Sequence, residues 1–106
     1  MQNRARTLLE VQHEVALQVS RSPTLQHLSE KDRVQHAVCG LVEEAGEVAG
    51  LLKREHYKNQ IQDETCWVEE LGDTLWYLAE AANSLGLSLE YIFEYNCRKL
   101  EERYGR

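Results

Sequence analysis

A chain of 106 residues is one domain, and its 42% hydrophobic and 28% charged residues are the balance of an ordinary soluble globular protein. The formal charge of −6 argues against nucleic acid or an anionic membrane surface as the main partner, but not against an anionic substrate met through a divalent cation. One proline and six glycines favour helix over a turn-rich β architecture, and Cys39, Cys66 and Cys97, without CxxC spacing, point to a reducing, cytoplasmic setting rather than a disulfide framework.

In chain order, residues 3–20 read as a first helix, with Leu8, Leu9, Val11, Val15 and Val19 at helical spacing. The same stretch has no long apolar core and carries Glu10 and Glu14, so it is not expected to act as a signal peptide, and no apolar run approaches the roughly 18 residues of a membrane span. Ser22-Pro23 is a break, and 21–28 reads as loop. Ser29 with Asp32 gives a start signal for a second helix over 30–55. The polar run HYKNQIQD is a connection, after which Asp63 caps a third helix over 64–84. Gly86 suits a helix end, and Ser88 caps a fourth helix ending near Tyr104. Four helices, short connections and no strand make an all-α bundle, residues 1–106 forming a single domain.

Two acidic stretches repeat one pattern. EEAGEVAGLL (43–52) aligns with EELGDTLWYL (69–78), so that Glu43 matches Glu69, Glu44 matches Glu70, Gly46 matches Gly72 and Glu47 matches Asp73. At about 100° per residue, Glu44 and Glu70 each lie inside the edge of a wide apolar arc, and Glu47 and Asp73 lie about 60° further out. Each helix therefore sets an i, i+3 pair of acids on the flank of its apolar face. If the two faces pack together, four carboxylates converge along one seam. Unpaired, they would repel one another and be partly desolvated, a cost that a hard divalent cation with oxygen ligands relieves. A lone ExxE is usually a solvated surface. Two in register, with few basic residues at i+4, favour metal. Gly46 and Gly72 each cost about 1 kcal/mol relative to alanine in a helix interior; either close helix approach or simple tolerance accounts for them.

Glu44-x-x-Glu47, twenty-two residues, then Glu70-x-x-Asp73 resembles the signature of the MazG-like all-α nucleotide pyrophosphohydrolases. The similarity continues through GLVEEAGEVAGLLKR, VEELGDTLWYLAEAANSLGLSLEYIFEYN and NCRKLEERYG, covering 38–105, while the N-terminal third matches only as a generic helix. The resemblance implies antiparallel helices, assembled as a dimer or a dimer of dimers. It implies hydrolysis of the α–β phosphoanhydride of a nucleoside triphosphate to monophosphate and pyrophosphate, dependent on Mg²⁺, for which Mn²⁺ can substitute. Family habit leans to dNTPs and to house-cleaning of the nucleotide pool. By motif position, Glu44, Glu47, Glu70 and Asp73 would hold metal, and Glu43, the extra acid of the EExxE form, would position or deprotonate the attacking water, making Glu43 and Glu44 the catalytic pair.

The chemistry agrees with that implication. Phosphoryl hydrolysis needs charge neutralisation and an activated water, both of which metal ions supply. Asn96, Lys99 and Arg103, spaced i, i+3, i+7 on the last helix, share a face; the resemblance associates these positions with phosphate, although cations also suit a helix C-terminus without any ligand. Lys53, Arg54 and Lys58 form a second basic group, of which Lys53 is the phosphate-binding candidate. Gln12, His13, Gln35, His36, Trp76 and Tyr77 are the polar or aromatic groups available to read a base, each also readable as core or surface. Related alternatives are a phosphoribosyl-ATP pyrophosphatase or a dimeric dUTPase. A di-iron bundle would need two ExxH motifs, and only Glu10-x-x-His13 has that form. A non-catalytic interaction bundle is the reading of another class.

Overall fold

Each helix starts after a side chain that can accept a hydrogen bond from its own first turn. The computed structural model describes residues 5–105, which form α1 (Leu8–Ser20), α2 (Glu30–Tyr57), α3 (Glu64–Ser84) and α4 (Leu89–Tyr104), with no strand among the described residues. Ser29 accepts from Asp32 N at 3.2 Å, Asp63 from Cys66 N at 3.0 Å and Ser88 from Tyr91 N at 3.0 Å. α1 begins later than its periodicity suggests, because Thr7 and Glu10 form a reciprocal capping box: Thr7 Oγ1 accepts from Glu10 N at 3.1 Å, and Glu10 Oε1 accepts from Thr7 N at 3.0 Å. Residues 3 and 4 of the expected first helix lie outside the described residues. The expected loop over 21–28 contains a 3-10 turn, Leu25–His27, entered where Ser22 Oγ accepts from Leu25 N at 3.1 Å. α2 runs two residues past its expected end, to Tyr57, and the chain turns away at Asn59, whose φ of 53° is a left-handed value that asparagine tolerates.

The main contact is α2 against α3, folded back on each other through residues 58–63. Glu55 Oε2 accepts from Gln62 N at 3.0 Å and pins that connection. The pairing is antiparallel, with His36 and Gly40 opposite Tyr77, and Glu44 opposite Glu70 and Asp73. α1 lies on α3, and α4 on α1. Val15, Val19, Ala79, Ala82 and Leu89 form the buried core, with Leu25 and Trp76 packed against it. Gln12 ties three elements together: Nε2 donates to Leu87 O at 2.7 Å, Oε1 accepts from Leu89 N at 2.9 Å, and its backbone carbonyl accepts from Asn83 Nδ2 at 3.1 Å.

The apolar arcs of α2 and α3 are only partly used within one chain. On α2, Leu51 is buried, whereas Val38, Val42 and Leu52 are exposed; on α3, Val68, Leu71, Leu75 and Leu78 are exposed. At about 100° per residue these exposed residues fall at 80–160° from Glu44 and from Glu70 on their respective wheels. In an antiparallel pair, both stripes lie on one side of the hairpin. The radius of gyration of 16.3 Å exceeds the roughly 13 Å of a compact domain of this length. The four helices thus leave a broad apolar surface uncovered.

Candidate metal centre

α2 and α3 carry the acids to one place. A carboxylate oxygen from each of Glu44, Glu70 and Asp73 lies within 4.8 Å of the other two. Glu44 and Glu70 are half-buried at the edge of the seam, and Asp73 is exposed beside them. Thr74, one residue on, donates from Oγ1 to Glu70 O at 2.7 Å. Glu47 and Glu43 are exposed and lie outside this trio, though near enough for their charges to act on Glu44.

Partial burial raises the Glu44 carboxyl above the usual glutamate range, and the negative charges of Asp73, Glu70, Glu47 and Glu43, in that order, push it further. Among the described residues, every charge moving Glu44 has the same sign. The cluster therefore stores repulsion that protons or a cation relieve.

Tyr77 stands beside the acids. Burial raises its phenol above the ordinary value, followed by the charges of Glu44, Glu43, Asp73 and Glu80. Its ring covers Gly40, where an added Cβ would overlap ring carbons, and the His36 ring centroid is 5.9 Å away. Gly40 is therefore the close-approach glycine of the seam. Gly46 and Gly72, for which close approach was one reading, have open space where a Cβ would sit. The signal for Gly40 was its position one turn before Glu44, on the same stripe of α2.

The basic candidates are not gathered at the acids. Lys53 is exposed on α2, nine residues beyond Glu44 and so about 13 Å along the axis. Asn96 borders an apolar groove of 370 Å³ with Leu75, Leu78, Ile92 and Phe93, and Lys99 and Arg103 are exposed on α4, which packs on α1. Of the base-reading candidates, Gln12 is spent on the staple described above, and Trp76 donates from Nε1 to Gln18 Oε1 at 2.7 Å. His13 and Gln35 are exposed, which leaves His36 and Tyr77 on the seam with the acids.

A family model for the MazG nucleotide pyrophosphohydrolase domain matches residues 33–105. The chain belongs to this family. The match begins five residues before the similarity read from the sequence and takes in α2, α3 and α4. The MazG chain is also similar to "Gene 37 protein" of Mycobacterium phage L5, at 31% identity over 83 residues, 69% of this chain and 68% of that protein. No solved structure matches it. MazG proteins are typically metal-dependent, and the donor set here fits a hard divalent cation: three carboxylates converge, and among the described residues no positive charge acts on Glu44.

Proposed function

We propose that this MazG protein is a Mg²⁺-dependent pyrophosphohydrolase of nucleoside triphosphates, with deoxynucleotides favoured, releasing the monophosphate and pyrophosphate in the cytoplasm. The observation that carries the reading is the approach of Glu44, Glu70 and Asp73 within 4.8 Å in a chain of this family. These three would hold Mg²⁺, with Mn²⁺ able to replace it, and Glu47, exposed one turn from Glu44, completes the ligand set. The metal supplies neutralisation of phosphate charge and a lowered pKa for bound water. Glu43, exposed next to Glu44, is the base for the attacking water. Asn96, Lys99 and Arg103 hold the triphosphate, with Lys53 as a further contact.

The protein acts as a homo-oligomer, a dimer or a dimer of dimers. Support comes from the exposed stripes of α2 and α3 and from the apolar groove beside α4, surfaces whose burial between copies favours association. No helix of the described residues is long and apolar enough to cross a membrane.

The test is pyrophosphate release from a panel of NTPs and dNTPs, with UTP analogues and phosphoribosyl-ATP included, with and without Mg²⁺. Metal-dependent pyrophosphate from at least one triphosphate is the expected result. No release from any member of the panel would leave the chain a non-catalytic bundle.

A further inference from the structure

Glu80 is 2% exposed, a charged side chain buried deep in the α2–α3 seam. It lies seven residues beyond Asp73, two turns along the same stripe of α3, about 10 Å from the acids by helical rise. Across from it on α2 are Arg33 and His36. Burial raises the Glu80 carboxyl, and the charges of Arg33, then His36, oppose that rise; the Ser84 hydroxyl donates to the Glu80 backbone carbonyl at 2.8 Å. Arg33 Nε and His36 Nδ1 are themselves buried without a hydrogen-bond partner. The proposed reaction uses none of these three groups.

We infer that Glu80 is a positioning residue for the metal centre: set against Arg33 and His36, it fixes the register of α3 on α2 and thereby the spacing of Glu44, Glu70 and Asp73. The inference rests on the metal reading of the acid trio. Among the other seam contacts, Ala37 is small, and Gly40 admits the Tyr77 ring only because it has no Cβ, so the charged group adds a second constraint one turn further along α3. A buried charge and its counter-charges are specific to one alignment, because sliding strands them in a low dielectric. The scale matters: a slip of one helical turn moves α3 by about 5.4 Å, more than the 4.8 Å within which the three ligand oxygens now lie. Tyr77 and Gly40 set how close the helices come, and Glu80 adds a charged constraint on where along the axis they stop.

The experiment is Mn²⁺ binding by calorimetry on the full chain, at a temperature where circular dichroism shows each variant folded. Val19→Ala, in the α1 core at 1% exposure, is the control for lost stability without lost register. Glu80→Gln is expected to weaken Mn²⁺ binding about tenfold or more, since a small misplacement caused by a distant change is enough to spoil a set of converging groups, whereas Val19→Ala keeps wild-type affinity at a similar loss of melting temperature. Adding Arg33→Gln to Glu80→Gln removes the stranded cation and should recover part of the affinity. If Glu80→Gln does not fold, Glu80→Asp, which keeps the charge one methylene short, is read the same way. Wild-type affinity in the folded Glu80 variant overturns this inference alone. A wild-type chain that takes up no Mn²⁺ overturns the metal reading and this inference together.

Discussion

Gly40 of α2 lies beneath the ring of Tyr77 of α3, close enough that a Cβ at position 40 would overlap the ring carbons. This contact sets the separation of the two helices one turn away from Glu44. Gly40→Ala must therefore push Tyr77 aside or spread the helices. Overpacking of this kind costs about 1–3 kcal/mol. We expect a lower melting temperature and weaker Mg²⁺ binding, with Gly40→Ala/Tyr77→Leu recovering stability. Thermal melts with and without Mg²⁺ check both, and a Gly40→Ala protein as stable as wild type would show that the ring moves freely.

The acid set should be essential. Glu44→Ala, Glu47→Ala, Glu70→Ala and Asp73→Ala are each expected to lower turnover by orders of magnitude while far-ultraviolet circular dichroism stays helical. Mg²⁺ at a hundred times its Kd should stabilise wild type by about 2.7 kcal/mol through mass action, and the variants much less. Full turnover in any two of the four would remove the metal assignment.

The caps at Ser29, Asp63 and Ser88 were legible in the sequence because capping is local: the donor and acceptor lie three residues apart. The acid trio was legible because helical period alone puts Glu44, Glu70 and Asp73 on the flank of each apolar arc. Gly40 and Glu80 were not, because their roles depend on what faces them from the other helix. Within the run LWYLAEAA (75–82), Glu80 read as one acid among apolar neighbours, and only the packing shows it buried opposite Arg33 and His36. The wheels give the width of each arc but not what covers it. Half of each arc faces outward in a single chain, and no intrachain pattern separates a face for α1 or α3 from a face for another copy.

The metal-free protein should gain stability on mild acidification. The Glu44 carboxyl is raised in the folded state, so between its unfolded value of about 4.3 and its folded value the native chain binds more protons than the unfolded one. Stability then falls as pH rises through the folded pKa. Glu80 is raised as well and contributes with the same sign. Saturating Mg²⁺ should reverse the trend, since protons compete with the ion for the carboxylates. Melting temperature against pH from 5 to 8 reads this directly, and Glu44→Gln should flatten the metal-free curve. A metal-free curve that climbs steadily with pH would mean that other groups dominate.

Gln12 should matter for folding rather than for catalysis. Its amide satisfies both Leu87 O and Leu89 N at the α3–α4 turn, and the second bond is buried. Gln12→Ala leaves those groups without a partner, at a cost of about 1–3 kcal/mol. Urea unfolding should show the loss, with kcat per folded molecule unchanged. A selective fall in kcat without loss of stability would instead make Gln12 a substrate contact.

The basic residues of α4 are expected to act on the acids of another copy. Within one chain α4 rests on α1, and Lys99 and Arg103 are exposed, while the charges of described residues that act on Glu44 are all negative. Lys99→Ala or Arg103→Ala should cost about 1.5–3 kcal/mol, the worth of a charged hydrogen bond, or roughly ten- to a hundred-fold in kcat/KM. Glu102→Ala, on another part of the α4 wheel, is the control and should leave activity intact. The sharper test mixes a Glu70→Ala chain with a Lys99→Ala/Arg103→Ala chain after unfolding and refolding them together. If acids and cations come from different copies of a symmetric dimer, each mixed dimer has one site with both defects and one with none. Half the dimers are mixed at equal ratio, so about a quarter of wild-type sites return. If one chain supplies both sets, every site keeps a defect and nothing returns. Sedimentation at micromolar concentration sets the frame: a species of only 12.3 kDa would rule out the shared site before any mixing is done.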